Sequence, residues 1–140
     1  MKEFAFIYPV LAHLFLVLGL YIILGLRKST AVKKKSVDLK DASLNNQAWP
    51  PAVVQVSNNI ANQFESPILF YALCFIGFLT GIGNVFVIFL CWSYVFLRYV
   101  HSYVHISKNI VPYRLRVFVL SLLVLLAFLI QTIFQLATAN

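Results

Sequence analysis

Several ionisable side chains in this sequence lie inside or at the start of long apolar stretches. Glu65 is the only one of the chain's four carboxylates within such a stretch, a later stretch carries Arg98, His101 and His105, and Arg114 begins another. An ionisable residue at membrane depth is a candidate functional site, because burying it without a partner costs free energy. These residues could neutralise one another, or they could bind an anionic ligand.

The spacing of the polar residues assigns them to two helix faces. Side chains three, four or seven positions apart share one face of an α-helix. The second apolar stretch and the third therefore each have one predicted polar face. The first face comprises Asn58, Asn62 and Glu65, and the second comprises Arg98, His101 and His105.

The predicted depths of Glu65 and Arg98 match. Glu65 precedes Thr80 by 15 residues, and Arg98 follows Asn84 by 14 residues, on either side of a short turn. At about 1.5 Å per residue, both lie roughly 21–23 Å from that turn. An acid and an arginine at one level in neighbouring antiparallel helices are expected to pair.

Two interpretations of this polar layer remain open on the residues alone. In the first, the Glu65–Arg98 ion pair cancels charge and sets the helix register, while asparagines hydrogen-bond between helices. In the second, the layer lines a pocket for an anionic ligand. Lys108, Arg114 and Arg116 would then add positive charge at the mouth of that pocket.

A metal site is a weaker alternative. His101 and His105 are four residues apart, a spacing at which two histidines on a helix can share one ion. With Glu65 they would form two histidines and a carboxylate, a set that suits iron. The remaining histidine, His13, is more typical of a hydrogen-bonded helix contact, so no metal is predicted.

The composition indicates what kind of element carries these residues. Hydrophobic residues make up 61% of the chain, the mean hydropathy is +0.88, and charged residues make up 11%. Soluble domains have about 25% charged residues. The sequence therefore predicts an integral membrane protein.

Four stretches are long enough to cross a bilayer, whose core of roughly 30 Å needs about 20 helical residues. We predict an all-α, four-helix membrane bundle in a single domain, residues 1–140. The predicted spans are about 4–26, 52–80, 84–107 and 114–137, with a long loop at 27–51. Pro67 lies within the second span and should bend the helix or remove a backbone hydrogen bond.

Lysine and arginine concentrate in two connections, 27–51 and 106–114. Basic loops tend to stay in the cytoplasm, so both connections are predicted to be cytoplasmic and both termini outside. In a bacterium the membrane would be the inner or cell membrane. The net charge of +7 then reflects topology and attraction to membrane lipid. A nucleic-acid partner is not predicted, because the run Lys33–Lys35 lacks the interleaved aromatic residues of such sites.

Two motifs at these residues resemble those of the MAPEG family, the membrane-associated proteins in eicosanoid and glutathione metabolism. The stretch Ala61–Tyr71, ANQFESPILFY, is similar to the family's second-helix signature. The stretch Arg98–His105, RYVHSYVH, continues through Asn109, Pro112, Arg114 and Phe118 and is similar to its third-helix and fourth-helix signature. The pattern resembles bacterial-type members.

The resemblance implies a homotrimer with glutathione bound between subunits near the cytoplasmic face. It implies that Arg114 stabilises the glutathione thiolate as the catalytic residue, and that Asn62 and Glu65 form a polar pair whose acid holds the amino group. Arg98 would lie near the bound peptide. Asn58, His101 and His105 complete the predicted binding site. The implied chemistry is of the transferase or peroxidase type, on a lipophilic small-molecule substrate.

Departures from the family pattern keep an alternative open. Asn58, Asn59 and Ala61 stand where family enzymes carry arginines, and His105 and Phe118 stand where several members carry tyrosines. Fewer cations and hydroxyls would bind glutathione less tightly. The alternative is a non-catalytic membrane protein, for packing or partner binding, whose polar layer is structural.

Overall fold

The computed structural model describes residues 3–138, and these are almost entirely helical. Short 3-10 turns occur at Glu3–Phe6 and Asn46–Ala48. The α-helices within the described residues are α1 (Ile7–Lys33), α2 (Leu39–Ala42), α3 (Pro51–Asn62), α4 (Ser66–Thr80), α5 (Val85–Ile106) and α6 (Val111–Thr138).

Four helical segments are long and apolar enough to cross a membrane. Many of their large apolar side chains, such as Phe15, Phe96 and Leu123, point away from the chain and are exposed. The predicted all-α bundle of four membrane helices is confirmed. The segments are Phe4–Lys33, Pro51–Thr80, Val85–Ile106 and Val111–Thr138.

The second span is broken into α3 and α4, as the proline within it predicts. Pro67 lies in the first turn of α4. A proline has no N–H to donate, and its ring clashes with the carbonyl four residues earlier. Residues 63–65 therefore form a tight turn, in which the Gln63 N–H donates to the Ile60 carbonyl at 2.9 Å. The break frees the Asn62 carbonyl from the helical pattern, and it accepts a side-chain hydrogen bond instead.

The connection between α5 and α6 places the start of α6 against the end of α5. Asn109 adopts a positive φ of 50°, a conformation that asparagine tolerates better than most residues. Its N–H donates to the Val104 carbonyl at 2.9 Å, and its side-chain oxygen accepts from Arg114 Nη1 at 2.7 Å. This tight connection holds Arg114 beside the last turns of α5.

Arg27 joins three helices at the end of the bundle where α5 meets α6. Its Nη1 donates to the Ala52 carbonyl at 2.6 Å, and its Nη2 donates to the Ile106 carbonyl at 2.9 Å. Carbonyls at a helix C-terminus lack helical partners, so a cation there stabilises the end of α5.

Apolar packing holds the rest of the bundle. The larger cluster includes Phe70, Tyr94 and Phe128, and a smaller one contains Leu20, Val56 and Ile60. Because lipid tails are as apolar as these side chains, close packing and interhelical hydrogen bonds, rather than the hydrophobic effect, associate the helices. Along α1 and α5, the polar residues lie between the two clusters.

Candidate functional site

Gln63 is the centre of a buried set of hydrogen bonds between the first three spans. Its side chain is 1% exposed. Its Oε1 accepts from Arg98 Nη2 at 3.0 Å, from Arg98 Nε at 3.3 Å and from His13 Nε2 at 3.2 Å. Its Nε2 donates to Asn59 Oδ1 at 2.8 Å and to Ser102 Oγ at 3.1 Å. We call these five residues the interhelical network.

The partners of Gln63 determine which way its amide points. A guanidinium only donates and a backbone carbonyl only accepts. Arg98 therefore requires the amide oxygen on its side, and the Asn59 carbonyl, 3.1 Å from Nε2, requires the amide nitrogen on the other. His13 Nε2 must then donate to Gln63, and His13 Nδ1 accepts from the Tyr71 hydroxyl. His13 is thus a hydrogen-bonded helix contact, as its sequence context indicates.

Arg98 does not hydrogen-bond to Glu65, so the predicted ion pair is wrong. The Arg98 side chain is fully buried, and its Nη2 also donates to the Asn62 carbonyl at 2.8 Å. Its remaining nitrogen, Nη1, has no hydrogen-bond partner. The break before Pro67 explains the difference, because it presents the Asn62 carbonyl and the Gln63 amide to the guanidinium. Glu65 remains exposed.

Beside the interhelical network, a cleft of about 270 Å³ opens between the broken second span and the junction of α5 with α6. It gathers residues that lie more than 50 positions apart in the sequence, roughly from 62 to 118. We call it the polar cleft. Its lining residues are Asn62, Glu65, His101, Val111, Arg114, Leu115 and Phe118. Four of the predicted site residues, Asn62, Glu65, His101 and Arg114, therefore face one space.

The α5–α6 junction orients His101 in this cleft. His101 Nδ1 lies 3.2 Å from the Arg114 carbonyl, which can only accept, so Nδ1 donates. In a neutral ring, His101 Nε2 is then an acceptor. His105 packs edge-on against His101 with ring centroids 5.7 Å apart, and the Phe118 ring lies 5.8 Å from His101 on another side.

Three polar atoms near the cleft are buried without hydrogen-bond partners. They are Arg98 Nη1, His101 Nε2 and His105 Nδ1, and in the part of the chain that the structure describes only Gln135 Nε2 shares this property. The great majority of buried polar atoms in proteins are paired. Three unpaired atoms on one face of α5 therefore have hydrogen-bonding capacity that the chain itself does not use.

Asn58 does not line the polar cleft, although its spacing predicts a shared face with Asn62 and Glu65. Asn58 is exposed and lines a separate cleft with Trp49, Gln55 and other residues near the start of α3. Asn58 and Asn62 still share a face of α3, and Asn58 lies one turn nearer the start of that helix. The break after Asn62 changes the direction of the chain and separates Glu65 from that face.

The sequence prediction missed Asn59 and Gln63 as structural residues. Both are buried, and they follow Val56 at spacings of three and seven residues. That spacing continues the apolar stripe of α3, which includes Val53 and Ile60. Amides on an apolar stripe are costly unless they are hydrogen-bonded, so the pattern itself indicated buried partners.

Metal ligands do not converge at this site. Among residues 3–138, no group of three or more histidine, cysteine or acidic side chains is placed to hold an ion. The donors present, a guanidinium, imidazoles, an amide and a carboxylate, suit an organic ligand with both anionic and cationic groups.

The comparison with protein families agrees with this architecture. The model of the MAPEG family matches residues 6–134, which is nearly the whole chain. A comparison with curated proteins finds no match, and neither does a comparison with solved structures.

Proposed function

This chain belongs to the MAPEG family, and on that premise we propose that it binds glutathione, or a related anionic thiol, in the polar cleft. The bound thiol would then attack lipophilic electrophiles that enter from the bilayer, in transferase or peroxidase-type chemistry. The observation that carries this proposal is that Glu65 and Arg114, a carboxylate and a cation, line the same small cleft.

The ligand's groups match the groups around the cleft. Glutathione has an ammonium, two carboxylates and a thiol. Glu65 is exposed in the cleft and can accept hydrogen bonds from the ammonium. Arg98 Nη1, a buried cationic donor without a partner, suits a carboxylate. Hydrogen bonds between ionised groups are roughly twice as strong as neutral ones, so these contacts favour such a ligand.

Arg114 is the residue that activates the sulfur in this proposal. The thiolate is the nucleophilic form of a thiol, and a nearby cation increases its population. Asn109 holds Arg114 Nη1 at 2.7 Å and so fixes the guanidinium at the cleft. The thiolate forms a carbon–sulfur bond with the electrophile, and the leaving group departs with its electron pair. His105 can donate a hydrogen bond near the sulfur.

A homotrimer would complete the site. The cleft in one chain measures about 270 Å³, below the roughly 300–1,000 Å³ of a typical ligand site. A neighbouring subunit packed against its open side would enclose the tripeptide. The exposed apolar side chains on all four spans supply surface for such packing as well as for lipid.

The membrane orientation belongs to the same proposal. The polar cleft lies at the end of the bundle that carries Lys33, Lys34, Lys35 and Lys108. Positive loops favour the cytoplasmic side, where the cleft would open to the cytoplasm and its glutathione. Both termini would then lie on the opposite side.

Conjugation by the purified protein tests the proposal. The parent and the Arg114→Ala variant, in detergent, are mixed with glutathione and a nitro-activated aryl chloride, and thiolate absorbance and product formation are recorded. We expect the parent to show both signals and Arg114→Ala to lose most of each. The matched control is Arg116→Ala, because Arg116 is exposed over the Tyr113 ring and does not line the cleft. Absence of binding and of conjugation in the parent would contradict the proposal.

A purely structural polar layer is the second candidate function, and one observation favours it. Most donors of Arg98 are taken by Gln63 and Asn62, so much of this arginine's role is to join helices. Thermal unfolding with and without glutathione separates the two candidates. A ligand at 100 times its dissociation constant adds about 2.7 kcal/mol to the stability of a protein that binds it. A structural protein would show no shift.

A further inference from the structure

Arg98 is a buried cation held without a carboxylate partner. Its side chain is 0% exposed, and its bonded nitrogens contact only the Gln63 amide oxygen and the Asn62 carbonyl. Its Nη1 has no hydrogen-bond partner. Burying a charge is costly unless an opposite charge compensates it. The fold thus holds a positive charge beside the polar cleft with no carboxylate in hydrogen-bond contact, and Glu65, which lines that cleft, acts on it only at longer range.

We propose that Gln63 is a positioning residue that holds Arg98 with an uncharged amide and thereby keeps the arginine's charge available for an anionic group of the ligand. This inference rests on the proposed function, since it assumes an anionic ligand in the polar cleft. It assigns to Gln63 a part in ligand affinity, although Gln63 does not line the cleft itself.

The surroundings of Gln63 are arranged to keep its oxygen toward Arg98. The Asn59 carbonyl and the Ser102 hydroxyl hold the amide nitrogen on the far side, at 3.1 Å each. His13, from the first span, donates to the same oxygen at 3.2 Å. An amide with both ends bonded cannot rotate without leaving buried donors or acceptors unpaired, which costs free energy.

The guanidinium of Arg98 lies close to the cleft. The central carbon of Arg98 is 6.0 Å from the Phe118 ring, which lines the cleft, and His101 is one turn further along the same face of α5. With Nε and Nη2 occupied by Gln63 and Asn62, Nη1 is the donor left for a ligand carboxylate. A carboxylate in place of the Gln63 amide would pair with the guanidinium and compete with that ligand.

Two substitutions at this position test the inference by separating charge from packing. Gln63→Glu supplies a counter-charge, whereas Gln63→Met leaves the charge of Arg98 without one. Both variants lose the amide nitrogen that donates to Asn59, so the counter-charge is what distinguishes them. We compare the melting temperatures of the ligand-free proteins in detergent and their affinities for glutathione. Gln47→Glu is the control for net charge, because Gln47 is exposed in the loop before α3.

The two measurements should rank the variants in opposite orders. We expect Gln63→Glu to melt at a higher temperature than Gln63→Met, and to bind glutathione at least tenfold more weakly, which is about 1.4 kcal/mol. The Gln47→Glu control should match the parent in both. If Gln63 had only a structural role, the variant with the lower melting temperature would also bind glutathione more weakly. Opposite orders for melting temperature and affinity are therefore expected only if the charge of Arg98 is kept available for the ligand.

Each other outcome has a defined meaning. If Gln63→Glu binds glutathione as tightly as Gln63→Met, or melts below it or fails to fold, the inference is wrong while the proposed function stands. If the parent does not bind glutathione, the proposed function fails. The part of the inference that concerns the ligand then fails as well, and the order of the ligand-free melting temperatures decides only whether Arg98 lacks a counter-charge.

Discussion

The interhelical network and the polar cleft lie side by side, but they differ in how their polar atoms are hydrogen-bonded. In the network, Gln63 has every amide atom bonded, and Asn59 and Ser102 bond to it and to each other. In the cleft, Glu65 is exposed and His101 Nε2 is buried without a partner. Arg98 belongs to the network and does not line the cleft, but one of its nitrogens, Nη1, has no hydrogen-bond partner.

This difference separates polar residues that hold helices together from those that can bind a ligand. A satisfied buried network rigidifies a fold, and breaking it leaves polar atoms unpaired at a cost in stability. Buried atoms without a partner cost stability, and they gain a hydrogen bond when a polar ligand binds beside them. Substitutions in the network should therefore reduce stability, and those in the cleft should reduce binding.

The largest expected effect is on stability, at the centre of the network. Gln63→Met removes the acceptor of Arg98 and His13 and leaves a buried cation with fewer partners. A hydrogen bond to a charged group contributes about 1.5–3 kcal/mol, and the loss here should exceed that of one bond because Gln63 accepts from Arg98 and His13 together. Denaturant unfolding in detergent measures it. Gln47→Met, in the exposed loop, is the control, and a loss below about 1 kcal/mol would show that the network does not stabilise the bundle.

The next effect should appear in binding alone. Glu65→Gln removes a carboxylate that makes no hydrogen bond within the chain, so stability should not change. Loss of a charge-assisted hydrogen bond to the ligand ammonium should weaken glutathione binding by about 1.5–3 kcal/mol. Calorimetric titration of parent and variant measures this. Asp41→Asn, which removes an exposed carboxylate in α2, should bind normally; equal affinity for Glu65→Gln would remove Glu65 from the site.

A smaller effect is expected at the edge of the network. Tyr71→Phe removes the hydroxyl that donates to His13, while keeping the ring that packs against Phe70. The net value of one such hydrogen bond is about 0.5–1.5 kcal/mol. Thermal unfolding should show a modest loss and titration should show unchanged glutathione affinity. Tyr103→Phe, at an exposed tyrosine, is the control, and an equal loss there would argue against a specific contribution from His13.

The smallest effect should come from Asn58. It is exposed and lines a cleft separate from Glu65, so Asn58→Ala should change stability by less than about 0.5 kcal/mol and leave binding intact in a single-chain site. Parallel unfolding and titration experiments measure both. A clear loss of binding would indicate that Asn58 reaches the ligand of a neighbouring subunit, and it would support the proposed trimer.

Much of the fold could be predicted from local sequence features. Long apolar stretches require helices at membrane depth, and Pro67 must disturb the second span because it lacks an N–H. The cleft residues Asn62, Glu65, His101 and Arg114 were also identified, since their types and positions are unusual for a membrane segment. That these residues lie close together follows from their matching predicted depth and from the resemblance to the MAPEG family.

Local sequence features specify four membrane helices, a break in the second and a polar end, because hydropathy, proline chemistry and charge act on neighbouring residues. The hydrogen bond from Arg98 to Gln63 rather than Glu65, and the position of Asn58 outside the cleft, follow from how the helices pack. Those contacts depend on how far each helix rotates about its axis and on the direction of the chain through residues 63–65. Helical spacing cannot specify either one, since it assumes a single unbroken helix.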